Sequence, residues 1–217
     1  MYATLSSYAD TGTIRQEVPG IVDESRFATR FRRGTGDLYF EYQGLTSTNP
    51  GTKFTIDMRT QRTVVWMVAN QMQKYDFAAR AHETVAPGSG QVVALQGLVH
   101  LTQGTSILIP SLLYPKAQLA SSVLQLESAM LVGVEPVGAS RCHKVMGTAA
   151  ARYPSGQRTG VRPVTIWIDV ESNLIRRVFE DTPEDYAPGA FSRTTITLEP
   201  QANTPIPDDK FRFAPPA

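Results

Sequence analysis

The sequence predicts a mainly β (α+β) domain, one curved antiparallel sheet with a helical insert packed on one face. Three observations predict it. Apolar and polar residues alternate with period two over much of the chain. Turn-forming residues separate the alternating runs at fairly regular spacing. Between residues 77 and 126 the alternation stops and an approximately helical spacing replaces it. Period two is what a sheet with one dry and one wet face requires. Strands, a helical insert and further strands then make a sheet with helices against it. At 217 residues the chain is expected to form a single domain over 1–217, because all-β barrels of this length commonly fold as one unit. Its parts are expected to be strands over about 12–76, a helical insert over about 77–126 and strands over about 127–213.

In chain order, the first strand is expected over 12–18 and a looser one over 26–32. Leu38, Phe40 and Tyr42 follow on one face of a third. Residues 53–59 alternate without fault, with Phe54, Ile56 and Met58 against Lys53, Thr55, Asp57 and Arg59. Residues 63–68 are β-branched and aromatic, as strands favour. In the insert, Val92, Val93, Leu95, Leu98, Val99 and Leu101 approximate a helical repeat after the break Ala86-Pro87-Gly88-Ser89-Gly90. A second apolar segment spans 105–113, contains Pro110 and ends at Tyr114-Pro115. That proline suits the first turn of a short helix or kinks a longer one. Strands resume at 128–134 and 141–147. Segments 164–170 and 174–180 are joined by Glu171-Ser172-Asn173, which reads as a hairpin turn. A threonine-rich strand over 191–198 completes about ten strands, which suits an antiparallel barrel or sandwich.

Hydrophobic residues at 41% and charged residues at 19% suit a packed core and exclude bulk disorder. The net charge of +1 gives no basic excess for nucleic acid or an anionic membrane surface. Cys142 is the single cysteine, so no intrachain disulfide is possible and the core must carry the fold. The apolar run at 105–113 is far shorter than the roughly 20 residues of a membrane-spanning helix. No basic segment followed by an apolar one opens the sequence, so no signal peptide is expected within it.

Catalytic and metal-binding patterns are not evident, and the chain is not expected to be an enzyme or to need a cofactor. His82, His100 and His143 stand at no helical chelating spacing. Cys142 and His143 are adjacent, and adjacent residues on a strand point to opposite faces, so they form neither a chelate nor a nucleophile pair. Gly88-Ser89-Gly90 lacks the spacing of a nucleophile elbow, and Gly34-Thr35-Gly36 lacks the third glycine of a dinucleotide fingerprint. The acid pairs Glu184-Asp185 and Asp208-Asp209 lie in proline-containing stretches and read as solvated loops. Arg26, Arg30, Arg32 and Arg33, with Arg176-Arg177, read as a solvated outer face or as a docking patch for an acidic partner or headgroup.

Several runs together resemble a known family. Tyr8-Ala9-Asp10-Thr11-Gly12-Thr13 is similar to a "YxDTG" opening of the first strand. Residues 27–33 followed by Leu38-Tyr39-Phe40-Glu41-Tyr42 resemble a strand pair with an "FRFEY" signature. Ile166-Trp167-Ile168-Asp169 with Leu174-Ile175-Arg176-Arg177 resembles a "WID…LIRR" hairpin, and residues 205–216 a "PIPDDxFxFxPP" close. These are features of periplasmic lipoprotein-carrier-like (LolA/LolB-like) proteins of the outer-membrane-associated kind. The resemblance implies a half-open, strongly curved antiparallel β-barrel with the helical insert covering its concave face. It implies periplasmic binding of a hydrophobic ligand such as an acyl chain, a lipid or a lipoprotein. A membrane-associated protein partner and no nucleic acid are expected. The family also contains regulatory and sensor-type interaction modules, whose barrels would be self-filled.

On the binding reading, Leu38, Phe40, Tyr42, Phe54, Ile56 and Met58 line the cavity. Leu98, Leu101, Ile107, Leu108, Leu112 and Leu113 cover it. Met58, Met67 and Met130 give the wall a shape that adapts to a chain. The same apolar stripe equally reads as core that plugs the sheet.

Overall fold

The computed structural model of the chain describes residues 1–114, 119, 121–152, 158–183 and 190–216. Pro115 and the pair Glu184-Asp185 lie outside the described residues. Alternation shapes the opening of the fold. Strands β1 (Ser7–Val18), β2 (Ile21–Arg32) and β3 (Asp37–Asn49) run antiparallel. β1 and β2 meet at Pro19-Gly20, where proline fixes φ and Gly20 takes φ 76°, a region that suits glycine. The register places Gly12 beside Phe27, and Phe27 beside Tyr42. A Cβ on Gly12 would stand 2.4 Å from the Phe27 ring and 2.5 Å from the Thr197 carbonyl, so the missing side chain lets the ring cross β1.

The remaining elements follow in order. They are β4 (Phe54–Asp57), β5 (Arg62–Val68), β6 (Gln71–Asp76), β7 (Ala81–Val85), α1 (Ser89–Gly97) and α2 (Thr105–Leu113). Then come β8 (Glu127–Val137), β9 (Ser140–Arg152), β10 (Arg158–Asp169), β11 (Ile175–Pro183), β12 (Phe191–Leu198) and β13 (Gln201–Ala202). Among the described residues thirteen strands make one antiparallel sheet in the order β7-β6-β5-β3-β2-β1-β12-β11-β10-β9-β8. β4 adds to β3, and β13 adds to β1. β7 and β8 are its two edges, so the curved sheet stays open as the mainly β, half-open expectation required. The hairpin expected at Glu171-Ser172-Asn173 is present. The Asp169 carboxylate accepts the N–H groups of Glu171 and Ser172, and Asn173 takes φ 54°.

Three features depart from the sequence reading. Residues 71–85 form the hairpin β6–β7, where helical insert was expected from 77. In β6, Met72 packs on one face and Tyr75 on the other, so no single face alternates. β7 is an exposed, polar edge strand, a form that discourages pairing with other chains. β4 alternates in sequence, yet both its faces are exposed, with Phe54 at 63% and Ile56 at 49%. It pairs only with Thr46–Asn49 of β3, beyond Tyr42, the last β3 residue in the main core. The early arginines are also more than a solvated face. Arg32 bridges Asp37 at 2.6 Å and Asp208 at 2.6 Å and lies over the Phe211 ring. Arg33 donates to the carbonyls of Tyr2, Leu5 and Leu113. Together they tie the C-terminal segment to the outer face and the chain's start to α2.

The two faces carry separate cores. α1 and α2 cover the inner face, where Ile14, Phe27, Phe31, Phe40, Ile166 and Val178 form one apolar cluster with the helices. On the outer face, Phe211 of the C-terminal segment seals Tyr39, Val64, Trp66 and Tyr75. A smaller outer cluster joins Val137, Cys142 and Trp167.

Candidate functional site: the inner face of the open sheet

Helix α2 explains what occupies the middle of the inner face. All of its residues except Leu112 are buried, so it has almost no wet side. Its hydroxyls must therefore find partners inside the protein. Thr105 Oγ1 donates to the Thr102 carbonyl at 2.7 Å, Ser106 Oγ to Leu95 at 2.9 Å and Ser111 Oγ to Leu108 at 2.8 Å. Pro110 is its sixth residue, deeper than the first turn, and removes one helical N–H.

Ten of the side chains expected at a cavity meet here. Leu38, Phe40, Tyr42 and Met67 of the sheet and Leu98, Ile107, Leu108 and Leu113 of the helical layer are buried in one cluster. Leu101 and Leu112 are partly buried against it. Wall and cover are thus packed into one apolar cluster. The other four lie elsewhere. Met58 is half-buried at the mouth of the sheet. Phe54 and Ile56 are on exposed β4, and Met130 on β8 is 64% exposed. Met130 pairs with Met146, which pairs with Thr165, and Thr165 with Phe179 of the outer Trp167 cluster, so Met130 belongs to the outer face.

Two open places on the inner face are lined by described residues. The first is a cavity of about 260 Å³ at the mouth. Tyr42, Met58 and Leu101 supply its apolar part, and Gln16, Asp23, Gln61 and Gln103 are among its polar lining. The loop between α1 and α2 positions Leu101 and Gln103, and Gln103 Oε1 accepts from Ser25 Oγ at 3.4 Å. Burial raises the Tyr42 phenol above its ordinary value, and the Asp23 charge adds to this against a hydrogen bond with Ser25.

The second is the flank at β8, β9 and β10. Leu131 pairs with Val145, and Val145 with the buried core residue Ile166. Val134 pairs with His143, and His143 with Ile168. These residues share the inner face, yet Leu131 is 60% exposed and Val134 47%. The helical layer packs against the β3–β5 side of the sheet, and these β8 side chains stay exposed. Sequence reasoning assigned neither residue to the site, because a β-branched run does not reveal that its strand is an edge.

Titratable groups inside the core are structural. Asp10 accepts from Tyr8 Oη at 2.8 Å and from the Thr29 N–H at 2.8 Å. Burial lifts its carboxyl to about 6, against the pull of those two donors. Neither Tyr8 nor Asp10 lines the mouth cavity. Cys142 is buried on the outer face, while His143 shares the inner face with Val134. Among the described residues no three His, Cys, Asp or Glu side chains are grouped to hold a metal ion. No described helix is long and apolar enough to cross a membrane.

No protein-family model matches the chain, and no curated protein matches it. Solved structures do. The Mycobacterium tuberculosis lipoprotein LppX aligns over 94% of this chain and 90% of its own, with 13% identity and a TM-score of 0.44. LprF from Mycobacterium bovis aligns over 95% and 89%, with 15% identity and a TM-score of 0.44. The Pseudomonas aeruginosa MucA/MucB complex aligns over 95% of this chain and 56% of the matched one, with 12% identity and a TM-score of 0.44. None of these is named as an enzyme. At such identity these are similarities of chain course, and the fold described above rests on its own strand order.

Proposed function

We propose that the protein is a periplasmic binding protein that holds an acyl chain, of a lipid or a lipoprotein, on the inner face of its open sheet. The single observation that carries this reading is the uncovered apolar flank at Leu131 and Val134, continuous with the core through Val145 and Ile166. At the β3–β5 side the helical layer packs against the inner face. An acyl chain along this flank would extend that layer, gaining about 0.8 kcal/mol per buried CH₂. Burial of apolar surface needs no fixed hydrogen-bonding geometry, which suits a site lined by aliphatic side chains. The periplasmic setting is carried over from the resemblance in the sequence.

The test is native mass spectrometry of the purified protein, followed by organic extraction and lipid analysis. A co-purifying lipid, or saturable uptake of a fluorescent fatty acid, supports the reading. A clean apo mass with no uptake removes it. The second reading, a regulatory protein-interaction module with a self-filled barrel, is favoured by the packed centre and by β8 itself. That strand is a free edge with apolar side chains exposed on both faces, and an edge can take a partner's strand.

A further inference from the structure

Two tight connections and the sheet build the mouth cavity. Its lining comes from β1, β2 and β3, from the turn between β4 and β5 and from the loop between α1 and α2. At the turn, a Cβ on Gly44 would stand 2.8 Å from the Met58 carbonyl oxygen, so the glycine lets the two backbones approach. The Gly44 N–H donates to the Gln61 carbonyl at 2.8 Å, and the Met58 N–H to Leu45 at 2.9 Å. These bonds hold residues 58–61 against β3 and bring Met58 and Gln61 to the cavity. In the loop, the Gly104 N–H donates to Val99 at 2.9 Å and Thr102 Oγ1 to Leu98 at 2.9 Å. Between these two residues Gln103 takes φ 49°, a left-handed conformation that is costly for a residue other than glycine. The strained residue is one that lines the cavity.

The polar groups on these walls have hydrogen-bonding capacity to spare. Gln16 donates through Nε2 to Ser192 Oγ, which leaves its Oε1. Gln103 accepts through Oε1 from Ser25 Oγ, which leaves its Nε2. Among the described residues the Gln61 amide and the His100 ring have no hydrogen-bond partner. Donors and acceptors are thus interleaved around about 260 Å³, beside an apolar side of Tyr42, Met58 and Leu101. No lysine or arginine lines the space, while Asp23 and Glu24 do, which disfavours an anion. The volume is below the roughly 300–1,000 Å³ of drug-sized sites and suits a single small ring.

We infer that the mouth cavity binds a neutral polyhydroxylated ring, a monosaccharide unit. A hydroxyl both donates and accepts, so it meets either end of an amide. Several hydroxyls on one ring engage Gln16, Gln61 and Gln103 together, whereas a ring with one hydroxyl leaves most of them unpaired. The C–H face of the sugar lies against Met58 and Leu101. The walls are held by backbone hydrogen bonds before the ligand arrives, so binding orders little of the protein. This site is independent of the acyl-chain reading, because β12, β11 and β10 separate its strands from β9 and β8.

The experiment titrates the wild-type protein with the methyl glycosides of glucose, galactose and mannose and with cyclohexanol, followed by NMR. Side-chain amides of Gln16, Gln61 and Gln103 and the methyls of Leu101 report occupancy. The tightest of the three glycosides is expected to saturate these shifts at a concentration about tenfold below that of cyclohexanol, which has one hydroxyl on a ring of the same size. Gln61→Leu removes one amide, and Gln103→Gly removes another while keeping a residue that suits the left-handed backbone. Each is expected to weaken that glycoside about fivefold, the ratio one hydrogen bond gives, and to leave cyclohexanol unchanged. The hexyl glycoside of the same sugar separates two sources. Affinity equal to the methyl glycoside assigns the site to a free sugar, and tighter binding assigns it to a glycolipid headgroup. No binding by any glycoside, equal or tighter binding of cyclohexanol, or an undiminished glycoside response in both variants overturns the inference. The probe comparison uses the wild type alone, so it decides the matter even if a variant fails to fold. None of these outcomes touches the acyl-chain reading, which is read from fatty-acid uptake.

Discussion

Gly12 and Asp10, two residues apart on the inner face of β1, carry more of the fold than their size suggests. Gly12→Ala places a methyl group within contact distance of both the Phe27 ring and the Thr197 backbone carbonyl. The ring can turn, but the carbonyl belongs to the neighbouring strand and cannot. Overpacking of this kind costs about 1–3 kcal/mol. Urea denaturation is expected to show a midpoint lowered accordingly, and an unchanged midpoint would mean that the sheet yields there. Asp10 gives a pH signature. Its carboxyl titrates at about 6 in the fold against an ordinary value of 3.8. Between those values the folded chain holds a proton that the unfolded chain has released. Its contribution to stability is therefore complete below about pH 4 and declines as pH rises through 6, by roughly 3 kcal/mol in all. Asp37 and Asp169 act in the opposite sense and at lower pH. For each, burial pushes the carboxyl up but the hydrogen bonds it accepts hold it below its ordinary value. Asp10→Asn is expected to abolish the decline between pH 4 and 6. Parallel stability curves for the two proteins over that range would contradict this origin.

At the scale of elements, α2 and β8 are opposites. α2 is buried on nearly every side, and Leu113 is fully inaccessible. Leu113→Ala is expected to cost about 2–5 kcal/mol, read from thermal or urea unfolding, and a cost below 1 kcal/mol would mean that the helix is not part of the core. β8 has two irregularities in its pairing with β9 and exposes Met130, Leu131, Val132 and Val134. Leu131→Lys there is expected to leave stability within about 0.5 kcal/mol, as for other surface changes, while lowering fatty-acid uptake. Loss of stability instead of uptake would make Leu131 a core residue. These contrasts explain what the sequence could disclose. Alternation at Leu38, Phe40 and Tyr42 located a real dry face because helices cover it. The same pattern at Phe54 and Ile56 did not, since burial depends on what packs against a strand, which alternation alone does not encode. β7 escaped notice because it is short, polar and exposed, with no apolar alternation to read. The β8 flank was hidden for a related reason, as being an edge is a property of the strand order.

Across the whole molecule, the open curved sheet with helices inside follows the order read from the chain, and the packing of Phe211 on the outer face adds to it. The packed centre and the two open places do not follow from that order, because they depend on how far two short helices reach across eleven strands in line. Helix α1 meets β7 and α2 meets β2. The outcome is a sheet whose inner face packs against the helices at its centre and exposes apolar side chains at β8. Fatty-acid uptake compared between the wild type and Leu131→Lys tests this most directly. Native mass spectrometry with a fluorescent fatty acid would give stoichiometry and affinity for both. The account predicts one saturable molecule on the wild type and at least tenfold weaker binding on the variant, with both chains equally stable. No uptake by the wild type, or equal uptake by the two proteins, would contradict it.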